Sequence, residues 1–208
     1  MLPFEARVGV MHPNGEVLRI SPEGGIFYQS CIHPDGTRVV YGGASSGPCR
    51  VWRAEAAGDN DPMPLTPVDS GACHPVFSWD GTRIAFSSDR SSPGPPQCVE
   101  NMNKAPMPDH GNIYIIDPDG RVVQITEGPF VDQRPCFSPD GSRIVFVSNR
   151  NGGLTLWSVP VSGESDPGPL PYQGAAYRPW FSTDGRTIFF IAGVDDLSED
   201  RGQRPGGR

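Results

Sequence analysis

The feature that most limits the fold is a ten-residue motif that returns four times. Ile32–Tyr41, Phe77–Phe86, Phe137–Phe146 and Phe181–Phe190 align without gaps, each with Asp-Gly at its centre. Their glycines, Gly36, Gly81, Gly141 and Gly185, stand 45, 60 and 44 residues apart. Asp-Gly supplies the left-handed backbone that a tight hairpin turn demands. The aromatic and β-branched runs on either side favour strands. A second hairpin follows each of the first three copies. Ile113–Thr126, turning at Asp117-Pro118-Asp119-Gly120, is the clearest, and Val51-Trp52-Arg53 and Leu156-Trp157-Ser158 mark its leading strand in two other units. No segment sustains an apolar period of 3.6 residues, so helix content should be close to nil.

Two hairpins in about 45 residues are the unit of a four-stranded propeller blade. The 60-residue interval is one such unit carrying about 15 extra residues, inserted at 90–112. The ends carry half units. Val10–Ser21 matches Ile115–Thr126, so the chain begins with a second hairpin, and Tyr177–Ala192 is a first hairpin. The expectation is an all-β fold, a small β-propeller of about four blades of four antiparallel strands, with the closing blade shared between the N- and C-terminal hairpins. Closure would remove the long unpaired edges that an open arc exposes. The alternative is a fragment of a larger propeller. Residues 1–194 are expected to form one domain, and 195–208 a polar tail too poor in apolar residues to pack.

Composition narrows the function. The 26 glycines and 24 prolines make up about a quarter of the 208 residues, a proportion that without periodicity would suggest disorder. The formal net charge is -7 and no Lys/Arg cluster offers a basic face, so nucleic acid is excluded as a partner. No run approaches the ~18 apolar residues of a membrane span. The N-terminus lacks a basic segment followed by an apolar one, which as written implies the cytoplasm, or the periplasm if the N-terminus is truncated. Five scattered cysteines, an odd number with no C-x-x-C pair, read as reduced and buried thiols. Gly43-Ala44-Ser45-Ser46-Gly47 matches G-x-S-x-G only formally, because a nucleophile elbow needs a strand-to-helix turn and this match falls within a hairpin. Cys98, His110 and His74 lack zinc-ligand spacing. No catalytic residue, cofactor or metal site is expected.

Phe137–Arg150, followed by Leu156-Trp157, resembles the WD40-like repeat of the TolB β-propeller family, and the resemblance spans roughly residues 8–192. It implies a protein-interaction role. The chain departs from the family pattern in lacking an export signal and an N-terminal α/β domain, and in having fewer than the usual six blades. Two enzyme classes also resemble this family. Oligogalacturonate lyases hold a metal in the channel with histidines and a glutamine, to which only Gln29 and His74 could correspond here. Prolyl-oligopeptidase-type hydrolases carry a regulatory propeller beside a hydrolase domain.

In a propeller the first strand of each blade is innermost. The residues four before the Ser or His of each Asp-Gly motif, Gln29, His74, Arg134 and Arg178, should therefore ring one mouth of the axial channel. Three of them precede a proline. Two guanidiniums, an imidazole and an amide suit a carboxylate or another small anion. Alternatively the arginines pair with nearby acids such as Asp132. The sequence thus points to a non-catalytic binding or scaffold module for a protein partner or a small anionic ligand, with the insertion at 90–112 leaving from the same mouth.

Overall fold

The computed structural model describes residues 5–91, 111–172 and 174–193. Among the described residues there are sixteen strands and no helix, hence none long and apolar enough to cross a membrane. Strands β1 (Gly9–Met11) and β2 (Val17–Arg19) pair as a hairpin. Three four-stranded antiparallel sheets follow, each in chain order. The first holds β3 (Ile26–Ile32), β4 (Arg38–Ala44), β5 (Arg50–Glu55) and β6 (Met63–Pro64). The second holds β7 (Ala72–Phe77), β8 (Ile84–Ser88), β9 (Asn112–Ile116) and β10 (Val122–Gln124). The third holds β11 (Gln133–Phe137), β12 (Arg143–Ser148), β13 (Thr155–Pro160) and β14 (Gly168–Pro169). A last hairpin joins β15 (Ala176–Phe181) and β16 (Ile188–Ala192). These are the three whole blades and two half blades that the repeat implies. The insertion at 90–112 and the tail at 195–208 lie almost wholly outside the described residues.

The blades stack through both faces. Between the second and third lie Val76, Ile113, Ile115, Phe137, Phe146 and Trp157, all buried. Val51, Ala72, Phe86 and Tyr114 fill the interval between the first and second. Alternation along each strand puts successive side chains on opposite faces, so a blade that is apolar on both sides needs a neighbour on both.

The closing blade departs from the expectation. The terminal hairpins stand as two separate two-stranded sheets, not as one sheet of four. Each packs on its adjacent blade instead. Val8 and Ile20 cover Phe27, Val39 and Tyr41, while Ile188 and Phe190 cover Val147 and Leu156. The other side of the last hairpin leaves Trp180, Phe189 and Ile191 exposed. Ladder pairing between β16 and β1 would require the two strands to lie ~4.8 Å apart, and each hairpin instead buries its apolar face on the neighbouring blade.

The Asp-Gly turns share one construction. Only the glycine is left-handed, with φ of 78°, 73°, 68° and 70° at Gly36, Gly81, Gly141 and Gly185. The aspartate works through its side chain. Oδ1 of Asp35, Asp80, Asp140 and Asp184 accepts the backbone N–H of Thr37, Thr82, Ser142 and Arg186 at 2.8, 3.0, 3.1 and 3.1 Å. Successive turns also touch. His33 Nε2 lies 3.1 Å from the Gly81 carbonyl, Arg83 Nη2 donates to the Gly141 carbonyl at 3.1 Å, and Pro139 lies beside Gly185. Gly36, in the first turn, has no such neighbour.

This difference gives a paired test. Gly36→Ala meets only the left-handed backbone penalty and should cost about 1–2 kcal/mol. Gly81→Ala adds a methyl group directly against the His33 ring, and urea unfolding should show a clearly larger loss of stability.

Candidate functional site

Each innermost strand breaks its register at the same place. The ladder slips between Tyr28 and Cys31, Cys73 and Val76, Gln133 and Cys136, and Tyr177 and Trp180. Inside each slip sits one residue with a left-handed backbone, and these are Gln29, His74, Arg134 and Arg178, at φ of 51°, 57°, 55° and 50°. Among the described residues they are the only non-glycines with positive φ. Such a conformation costs on the order of 1–3 kcal/mol, and a β-bulge re-aims the side chain it carries. Four strained bulges at one repeat position therefore turn four polar side chains out of the pleat in the same way.

The electrostatics bring three of them together. His74 is pushed down to about 3, chiefly by burial and further by the guanidiniums of Arg134 and Arg178, so its imidazole is neutral throughout the physiological range. Burial lowers Arg134 too, with the Arg178 charge adding to the effect. His74 Nδ1 lies 3.2 Å from Cys73 Sγ, and burial pushes that thiol up to about 12. A protonated thiol donates to Nδ1, which leaves the imidazole proton on Nε2. Two atoms of the set are buried without a hydrogen-bond partner, Gln29 Oε1 and Arg134 Nε. Gln29 occupies the equivalent bulge in the first blade, next to Tyr28, a residue whose phenol acts on Arg134.

Asp132 does not satisfy the ring. It is buried against Arg150, at 2.7 Å from Nη2, and accepts from Ser148 Oγ at 2.6 Å. Arg150 in turn lies over the rings of Phe130 and Trp157, at 4.3 and 5.9 Å from their centroids. Among the described residues no carboxylate forms an ion pair with Arg134 or Arg178. Nor do three His, Cys, Asp or Glu side chains gather in metal-binding reach there. Cys31, Cys49, Cys73 and Cys136 form no disulfide among the described residues, and Cys98 lies outside them, as does His110. Ser45 falls in the turn between β4 and β5, a strand-to-strand connection with no helix to form an elbow.

A second feature was not singled out by the sequence. Two and three residues beyond the left-handed position, the same four strands line a cavity of about 180 Å³ with Cys31, Ile32, Val76, Phe77, Cys136, Phe137 and Trp180. Trp79, which takes the place of a proline in the Asp-Gly motif, reaches over it. Its indole N–H donates to the Phe137 carbonyl at 3.1 Å, and its ring centroid is 6.5 Å from that of Trp180. The one sequence signal was the departure of Trp79 and Trp180 from small residues or proline at their repeat positions.

Comparison with known proteins bears on the fold. No protein-family model matches the chain. An uncharacterized peptidase of Bacillus subtilis, YuxL, is 24% identical over 152 residues, covering 70% of this chain and 20% of the peptidase. The chain thus spans only about a fifth of that relative. A TolB-type protein from Agrobacterium tumefaciens superposes with a TM-score of 0.68 at 20% identity, over 91% of this chain and 70% of the other. An oligogalacturonate lyase solved with manganese superposes with a TM-score of 0.60 at 15% identity, over 88% of this chain and 52% of the lyase. In both superpositions this chain covers only part of the longer one.

The depressed His74 has a consequence for stability. The unfolded chain takes up a proton on this residue near pH 6.5, whereas the folded chain resists protonation until about pH 3. Between those values the unfolded state holds more protons, so stability falls as pH falls, by at most about 1.4 kcal/mol per pH unit from this group. His74→Gln, which places here the residue already tolerated at the Gln29 bulge, should flatten the stability profile between pH 6 and 4 in urea titrations. An unchanged slope would show that His74 titrates normally.

Proposed function

Starting from a chain that is a TolB-like β-propeller, we propose that it is a non-catalytic binding module whose axial mouth, formed by Gln29, His74, Arg134 and Arg178, holds the carboxylate or other small anionic group of a ligand or protein partner. The observation that carries this reading is the donor set. Two guanidiniums with no carboxylate partner among the described residues flank a neutral imidazole, and Arg134 Nε is buried with its hydrogen-bond capacity unused. Arg178 is exposed, whereas a partly buried cationic donor without a partner, such as Arg134, is costly, and a bound anion offsets that cost. The left-handed bulges support it further, because strain repeated in four blades is maintained where the side chains need that aim. Residence in the cytoplasm or the periplasm is compatible with this role.

Metal-dependent chemistry of the kind implied by a manganese-containing propeller fits poorly. Guanidiniums are donors only and repel a divalent cation, and they occupy two of the four ring positions. The match to YuxL favours one second reading, a propeller that serves a peptidase. A hydrolase sequence adjoining the reading frame would establish it.

The test is a calorimetric titration with a capped dipeptide bearing a free C-terminal carboxylate, beside the same peptide as its amide. The carboxylate form should bind more tightly to the wild type. Combined Arg134→Gln and Arg178→Gln should weaken it by tenfold or more, consistent with charge-assisted hydrogen bonds, and abolish the preference over the amide. Equal binding of both peptides by wild type and variant would sink the proposal, as would unchanged partners in affinity capture.

A further inference from the structure

The cavity of about 180 Å³ sits on the same four innermost strands as the cationic ring, displaced along them toward the Asp-Gly turns. Its walls differ in kind from the ring. Cys31, Val76, Cys136 and Trp180 occupy the same repeat position, two residues beyond the left-handed one, and Ile32, Phe77 and Phe137 come next. Burial holds the Cys31 and Cys136 thiols above their ordinary range, so neither contributes a charge.

Two departures from the repeat border this cavity. Where the other turns have Pro34, Pro139 and Thr183, the second has Trp79, whose indole crosses to the third blade's Phe137 carbonyl. Where the other strands have Cys31, Val76 and Cys136, the last has Trp180. Turn chemistry asks for neither tryptophan, and a proline suits the Trp79 position well. Yet both converge on one space, with interplanar tilt of 50°. Trp180 and Ile32 remain 49% and 56% exposed, whereas their repeat counterparts Cys136 and Phe137 are buried at 1% and 0%. Large apolar groups are thus held at the opening of a hollow that the fold does not fill.

We propose that this cavity is a second binding site, independent of the cationic ring, for a single uncharged aromatic ring, carried either by a small molecule or by an aromatic side chain of a partner. Size and chemistry agree. An apolar cavity of ~150 Å³ accommodates one benzene, and 180 Å³ leaves room for a ring of that class or slightly larger. Trp79 and Trp180, with the buried Phe77 and Phe137 backing the wall behind them, offer faces and edges for the offset and edge-to-face contacts that aromatic pairs prefer. The wall carries no side chain charge to reward an ionic ligand, and Trp79 has already committed its indole N–H. Tryptophans are also the side chains most often found to dominate binding at such anchors.

The experiment is a titration of the protein with indole and, separately, with N-acetyltryptophanamide, followed by the tryptophan side-chain N–H signals in nitrogen-correlated spectra. Both probes carry the ring, and the second carries it as a side chain with peptide flanks. Saturable shifts confined to the Trp79 and Trp180 signals are expected for at least one probe. Tighter binding of indole indicates a small-molecule ligand, and tighter binding of the capped amino acid a partner side chain. Trp180→Ala, at a half-exposed position, should weaken binding at least tenfold. Cys31→Leu, which narrows the hollow, should weaken it at least threefold. Trp52→Phe, whose ring packs on Phe27 away from the cavity, should leave it unchanged. Arg134→Gln should also leave it unchanged, which separates this site from the ring. Failure of both probes to saturate, or Trp180→Ala binding as well as wild type while remaining folded by its spectrum, would overturn the proposal.

Discussion

Each blade of this protein is apolar on both faces, and that double burial is the constraint on which the architecture depends. Ile113, Ile115, Phe146 and Trp157 have no other place to hide than between the second and third sheets. At ~25 cal/mol per Å² of apolar surface, removing such side chains from water contributes about 1.5–3 kcal/mol each. Sheets that must stack face to face, with hairpins joining neighbouring strands in chain order, leave the first strand of every blade on one common side. What these first strands carry is thereby gathered on that side.

The ring shows how a regular scaffold acquires a local exception. A strand in perfect register would alternate its side chains across the sheet, and Gln29, His74, Arg134 and Arg178 would follow the pleat. The bulge breaks that alternation in each innermost strand and accepts a left-handed backbone at a residue with a full side chain. Proline directly after three of the four removes a backbone donor there, which suits a place where the ladder is already interrupted. Burial, aided by the nearby charges of Arg134 and Arg178, keeps the His74 imidazole neutral, and no described acid forms an ion pair with either arginine. Asp132, the obvious candidate by sequence, is spoken for by Arg150, which itself lies between Phe130 and Trp157. The arginine that pairs with Asp132 is thus not one of those at the bulges.

The terminal hairpins illustrate a limit on inference from repeats. Halves of a blade at each end invite the idea of a shared sheet, and both halves do form their hairpins. Whether they meet depends on the angle turned at each interface. That angle is set by the packing of side chains from sheets distant in sequence, and no motif encodes it. The result leaves Phe189 and Ile191 facing outward on the last hairpin and Gly36 without the turn-to-turn contact its counterparts receive.

The local pattern of residues by itself determined the strands, their pairing within each hairpin, the number of repeat units and the shared repeat position of Gln29, His74, Arg134 and Arg178, because Asp-Gly turns and alternating apolar residues act over a few residues at a time. Even the second hairpin of the insertion-bearing unit was legible from Ile113–Thr126. Tertiary structure alone decided three things. It set the left-handed backbone at the ring, since nothing in Gln, His or Arg favours that conformation until the bulge imposes it. It chose Arg150 over Arg134 as the partner of Asp132. It also gathered Trp79 and Trp180 around one hollow while keeping the terminal sheets apart, because such contacts join residues about a hundred positions apart or more, and only packing in three dimensions selects among them.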